Sequence, residues 1–130
     1  MITKKKIELV YPELSYQIVG VLFDVFNELG YGYQEKTYQR AIAGAFRERG
    51  IGFREQLSMP LEFSGGNIGR FYLDFLVENK VVLELKRGNH FLKTNILQVY
   101  GYLKKFDMKL GIIANYTNTG LKFKRIVNIR

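Results

Sequence analysis

The chain has 130 residues, 47% hydrophobic and 15% aromatic, which is enough to build the core of one domain and too apolar for a disordered chain. It has no cysteine and one histidine, which excludes disulfides, thiolate zinc sites and zinc sites made of several imidazoles. The net charge of +8 is lopsided: residues 1–79 carry 9 Lys+Arg against 10 Asp+Glu, residues 80–130 carry 11 against 2, and such asymmetry points to a polyanionic partner or to a solvated basic surface.

Residues 1–12 read as an N-terminal basic tail or extension around Lys4, Lys5 and Lys6. The start has no apolar h-region with a small-residue cleavage site, so no signal peptide is expected, and a cytoplasmic location suits the absence of cysteine. Residues 13–130 read as one domain. Apolar residues at Leu14, Ile18, Val21, Leu22, Val25, Phe26 and Leu29 have helical spacing. Gly30 and Gly32 end that helix. A second helix is predicted over residues 35–49, with Tyr38, Ile42, Ala45 and Phe46 as its stripe and Gly50 as its stop. The period then changes to two. Residues 53–63 predict a strand with an edge or bulge at Pro60, and residues 64–67 a turn. Residues 68–77 and 81–86 predict two strands joined at Glu78, Asn79 and Lys80. Helical spacing returns over residues 91–106; residues 110–114 and 121–129 predict two further strands. The order is ααβββαββ, an α/β (α+β) domain with a mixed central sheet. The basic half lacks a strongly amphipathic Lys/Arg helix and no stretch is long enough to span a bilayer, so no membrane partner is expected.

In the central hairpin the odd positions Phe71, Leu73, Phe75, Val77, Val81, Leu83 and Leu85 are all apolar. Alternate side chains of a strand face opposite ways, so the odd face is expected to be the deep core. A three-residue loop pairs 77 with 81 and sets Asp74 opposite Glu84, with Lys86 beyond it on the same face. Adjacent carboxylates repel unless a cation or proton lies between them, and oxygen-only ligands suit Mg²⁺ or Mn²⁺. From spacing alone the plainer reading, an ordinary salt bridge from Lys86 to one acid on a half-exposed sheet, is preferred. Glu35 shares the stripe of Tyr38, where an acid needs a partner, unless it is a first-turn glutamate favoured by the helix dipole. Gln98 shares a stripe with Asn95 and Tyr102, opposite the side made by Leu92, Ile96, Val99 and Leu103, and reads as solvated.

These residues carry a resemblance. Asp74, followed after nine residues by Glu84-Leu85-Lys86, resembles the core of the PD-(D/E)XK nucleases, and Gly32-Tyr33-Gln34-Glu35-Lys36-Thr37-Tyr38 resembles the signature of the GxxExxY family, a branch of that superfamily. The flanks Ile18-Val19-Gly20, Glu28-Leu29-Gly30 and Gly50-Ile51 agree, as does Gln98 twelve residues after Lys86 and ahead of Tyr102-Leu103. The resemblance implies a restriction-endonuclease-like fold with an α-β-β-β-α-β core. It implies divalent metal on Asp74 and Glu84, helped by the main-chain carbonyl of Leu85. Lys86 would be the catalytic lysine, Glu35 a ligand direct or through a water, and Gln98 part of the polar wall. Leu73 stands where proline usually precedes the first aspartate, and Asn95 where some relatives have histidine; His90 reads as a solvated loop residue. The function so implied is Mg²⁺- or Mn²⁺-dependent hydrolysis of phosphodiester bonds in DNA, with Lys93, Lys104, Lys105, Lys122, Lys124 and Arg125 as the nucleic-acid surface. The alternative is a silent nuclease-fold module that binds nucleic acid or a protein. A chain this small covers little DNA, so a homodimer is one expectation.

Overall fold

A computed structural model describes residues 10–87 and 93–129. Lys4 to Lys6, His90 and Leu92 lie outside the described residues. Pro12 opens helix α1 (Pro12–Leu29), where a missing N–H costs nothing, and Gly30 closes it at φ 76° with its N–H on the Phe26 carbonyl. Helix α2 follows (Glu35–Glu48), then strands β1 (Phe53–Phe63), β2 (Gly66–Val77) and β3 (Val81–Arg87), helix α3 (Lys93–Lys105), and strands β4 (Leu110–Thr117) and β5 (Gly120–Val127). This is the expected order. β4 runs past residue 114 to Thr117, so it carries Asn115 into the sheet.

The five strands lie in the order β1-β2-β3-β4-β5; β3 and β4 are parallel and the other neighbours antiparallel. The parallel pair needs a crossover, which α3 supplies. α1 and α2 cover one face. There Ile18, Leu22, Ile42 and Phe46 meet Phe75, Val77, Val81, Leu83, Leu85, Leu110 and Ile112. Phe46 sets its ring edge-on to Phe75 at 5.7 Å, and burial of each such side chain is worth about 1.5–3 kcal/mol. α3 covers the other face with Val99, Tyr102 and Leu103, over Leu76, Val82, Ile113 and Ile126. It lies so close to β4 that a methyl on Gly111 would come within 2.7 Å of Val99 Cγ1.

Three expectations about faces need correction. Phe71 and Leu73 pack with the α3 cluster, whereas Phe75 and Val77 pack under α1 and α2. The alternation resets between residues 73 and 75. Glu55 pairs with Phe75 and Leu57 with Leu73, and between these rungs Gln56 takes φ 54°. That left-handed residue, rare outside glycine, turns the outer hairpin toward α3. The same turn brings Phe71 to 5.7 Å from the Tyr102 ring. Tyr102, expected on the solvated stripe, is therefore buried, with its hydroxyl on Met59 Sδ. Glu35, expected on a buried stripe, is exposed: it is the first residue of α2, and the stripe reaches the core only from Tyr38 onward.

Candidate active site

The β2–β3 ladder runs Val77↔Val81, Leu76↔Val82 and Phe75↔Leu83, as the three-residue loop requires. At the next step side chains replace main chain. The Asp74 N–H donates to Glu84 Oε1 at 2.8 Å, and the Leu85 N–H donates to Asp74 Oδ2 at 2.8 Å. Each carboxylate thus closes the gap left where the two strands part. One oxygen of each is committed to this crosswise pair; Asp74 Oδ1 and Glu84 Oε2 are left for other partners. Lys86 Nζ stands 3.8 Å from Glu84 Oε2.

Glu84 is only 7% exposed. Burial raises its pKa to about 7, the neighbouring Asp74 charge pushes the same way, and Glu35 adds to it; the Asp74 N–H and the Lys86 charge oppose. Asp74 is raised by burial too, against the Leu85 N–H and Lys86. Two crowded acids held above their ordinary range form a place where a cation would replace a proton.

A cavity of about 760 Å³ opens beside Asp74, lined by Glu35, Lys36, Gln39 and Arg40 of α2 and by Glu55 and Gln56 of β1. Glu35 and Gln39 are one turn apart and share a helix face. The N-terminal end of α2 is fixed by Tyr38, whose hydroxyl donates to the Gly30 carbonyl and accepts the Tyr33 N–H at 3.4 Å. Gly32, at φ 112°, holds a conformation few other residues adopt. These contacts aim Glu35 at the cavity.

Among the described residues no three acids or histidines converge as a cation cage. The donor set is two carboxylates with an acid, Glu35, across the cavity. That suits Mg²⁺, which keeps several waters and takes one or two carboxylates, better than it suits a cation held by an all-protein shell.

The other predicted residues scatter. In register, Lys86 lies beside Asn115 and Asn115 beside Lys122; one rung lower, Glu84, Ile113 and Lys124 form a row. Lys93 opens α3 and Asn95 is half-buried near it, while Gln98 is exposed and makes no hydrogen bond among the described residues. Lys104 and Lys105 end α3, where Leu103 meets Met108 and Asn128 at the start of β4. Five strand residues, roughly 16 Å, separate that level from Asn115. Arg125 donates to the Val10 carbonyl at 3.2 Å and ties the start of the described chain to β5. Sequence reasoning passed over Gln39, Lys36, Arg40, Gln56 and Asn115. Gln39 had a signal, its spacing of four from Glu35; Gln56 had none.

A family model described as the PD-(D/E)XK nuclease superfamily matches residues 12–126, and the chain belongs to that superfamily. No curated protein matches. Among solved structures, the crystal structure of SSO0001 is similar at 15% identity and TM-score 0.57, over 95% of this chain and 60% of that one. The chain therefore spans less than two thirds of that protein, and the likeness is one of fold.

Proposed function

We propose that this chain is a divalent-cation-dependent nuclease that hydrolyses phosphodiester bonds in DNA, and that within its superfamily it belongs to the GxxExxY branch. One observation carries the reading: a buried Glu84 and a half-buried Asp74, each tied by a carboxylate oxygen to main chain across the pair and each with raised proton affinity, stand next to a lysine at the fork of two strands. An ordinary salt bridge needs one acid and no burial.

Asp74 and Glu84, with the Leu85 carbonyl, would hold Mg²⁺ or Mn²⁺, which when bound would polarise the phosphate and acidify a water. Lys86 then places its ammonium where charge builds on the phosphate during attack. Glu35, across the cavity from Asp74, orients the attacking water. The three residues of the branch signature have separate tasks in this reading: Gly32 turns the chain, Tyr38 pins the turn, and Glu35 faces the reacting group.

The test is hydrolysis of plasmid, linear, single-stranded and branched DNA by freshly purified protein with Mg²⁺ or Mn²⁺. Cleavage that stops on addition of EDTA is expected. Tight DNA binding with no cleavage of any topology would give the case to the silent module.

A further inference from the structure

Gln39 is 8% exposed, yet among the described residues its amide has no hydrogen-bond partner, and it opens onto the cavity beside Asp74. The amide is not among the buried polar atoms that lack a partner, so it is reached from the cavity and can bond an outside group there. Lys36 and Arg40 line the same wall, one helical turn apart, and both are exposed. Among the described residues neither makes an ion pair, although Glu35 and Glu55 share the cavity with them. The two arginines at the far end of α2 are committed: Arg49 pairs with Asp24, and Arg47 lies 3.7 Å from Glu55 and over the Phe53 ring. The cavity wall therefore presents one amide and two uncommitted cations on α2, in the same cavity as Asp74.

We propose that Gln39, Lys36 and Arg40 bind a backbone phosphate of the substrate strand next to the one being cut, so that the nucleic acid lies over the N-terminal half of α2. This rests on the nuclease reading above. The amide N–H donates to a phosphate oxygen, the guanidinium of Arg40 grips two oxygens in a planar fork, and Lys36 supplies a point charge. The division of labour is electrostatic. Asp74 and Glu84 take the cation, and the cations on α2 take a second anionic group at a distance from it. The basic end of α3, where Lys104 and Lys105 sit, is not the binding surface in this arrangement.

The experiment separates binding from cleavage. Fluorescence anisotropy with fluorescein-labelled DNA oligonucleotides, single-stranded and duplex, is run in EDTA, where no hydrolysis is needed. Gln39→Leu keeps the volume and removes the amide. It is expected to weaken binding about tenfold or more while the melting temperature stays level or rises, because an apolar side chain suits the buried site. A purely structural glutamine would give the opposite pattern, a lower melting temperature with unchanged affinity. Lys36→Gln and Arg40→Gln, both at exposed positions that leave the core alone, are each expected to lower the dependence of log affinity on log salt by about one. Charge reversal at Lys104 and Lys105 is expected to do less than either.

Wild-type affinity and salt slope in all three α2 variants, or a larger loss from Lys104 and Lys105, would overturn the proposal. If wild type cuts DNA with Mn²⁺ while the α2 variants bind normally, this inference falls and the nuclease reading stands. If wild type never cuts but the α2 variants lose affinity, the phosphate contact on α2 stands as a binding site only, and the nuclease reading falls.

Discussion

On the face covered by α1 and α2, the sheet is apolar without a break from Phe75 and Val77 through Val81, Leu83 and Leu85 to Leu110, Ile112 and Ala114. On the face covered by α3, the apolar residues Leu76, Val82 and Ile113 give way toward one end to Asp74, Glu84, Lys86 and Asn115. Both faces belong to the same strands and alternate residue by residue. Stability and chemistry therefore sit on adjacent residues, and substitutions at neighbouring positions should have unrelated effects.

The largest effect is expected on the apolar face. Phe75 is fully buried between Phe46 and Phe53. Phe75→Ala should cost about 3–5 kcal/mol, read as a shifted urea midpoint. A cost under about 1 kcal/mol would show that this cluster does not hold the fold. On the neighbouring strand, Lys86→Ala should leave the midpoint nearly unchanged. It should slow cleavage by about 10²–10³, since a single preorganised charge at the reacting group is worth that much. If Lys86→Ala cuts as fast as wild type, the activity belongs elsewhere.

Glu84 joins the two faces, because its burial has a stability cost that its chemistry requires. Folded, it titrates near 7; unfolded, near its ordinary 4.5. Between those values the folded state holds a proton that the unfolded state has released. Stability without a divalent cation should therefore fall as pH rises from about 4.5 to about 7, by an amount on the order of 1–3 kcal/mol. Asp74, raised as well, contributes in the same direction. Glu84→Gln should flatten that slope and raise the melting temperature at neutral pH, while weakening Mg²⁺ or Mn²⁺ binding in calorimetry. An unchanged pH profile in Glu84→Gln would mean that the carboxyl is not held protonated by its surroundings.

The same comparison explains what was legible beforehand. The facing of Asp74 and Glu84 follows from the parity of 75–77 against 81–83, because every odd position there is apolar and a three-residue loop fits. Parity failed at Phe71 and Leu73 because the reset depends on the left-handed backbone of Gln56, and no residue type announces that. Tyr102 was misassigned for the same reason: its cover comes from a hairpin that bends only because of Gln56. Charge counting pointed to the second half of the chain, but the cations lining the cavity, Lys36 and Arg40, come from the balanced first half. Composition records how many charges a segment has, and folding decides which of them share a cavity with an acid.

The smallest effect is expected where the apolar face meets the site. Tyr38 is buried, packs its ring against Tyr116 at 4.3 Å with a tilt of 45°, and uses its hydroxyl to pin the Gly30 carbonyl and the Tyr33 N–H. Tyr38→Phe keeps the ring and removes only that hydroxyl. It should cost about 1 kcal/mol, the usual worth of one net hydrogen bond, and so move the urea midpoint slightly. The turn that aims Glu35 would loosen while Asp74, Glu84 and Lys86 stay in place. Cleavage should therefore fall less than about tenfold, well short of Lys86→Ala. Glu35→Gln made in the Tyr38→Phe background should then add less than it does alone, because residues acting through one another are not additive. A loss in Tyr38→Phe as deep as that of Lys86→Ala would put the hydroxyl in contact with the reacting groups. Full additivity of the two substitutions would show that the tyrosine serves only the apolar face.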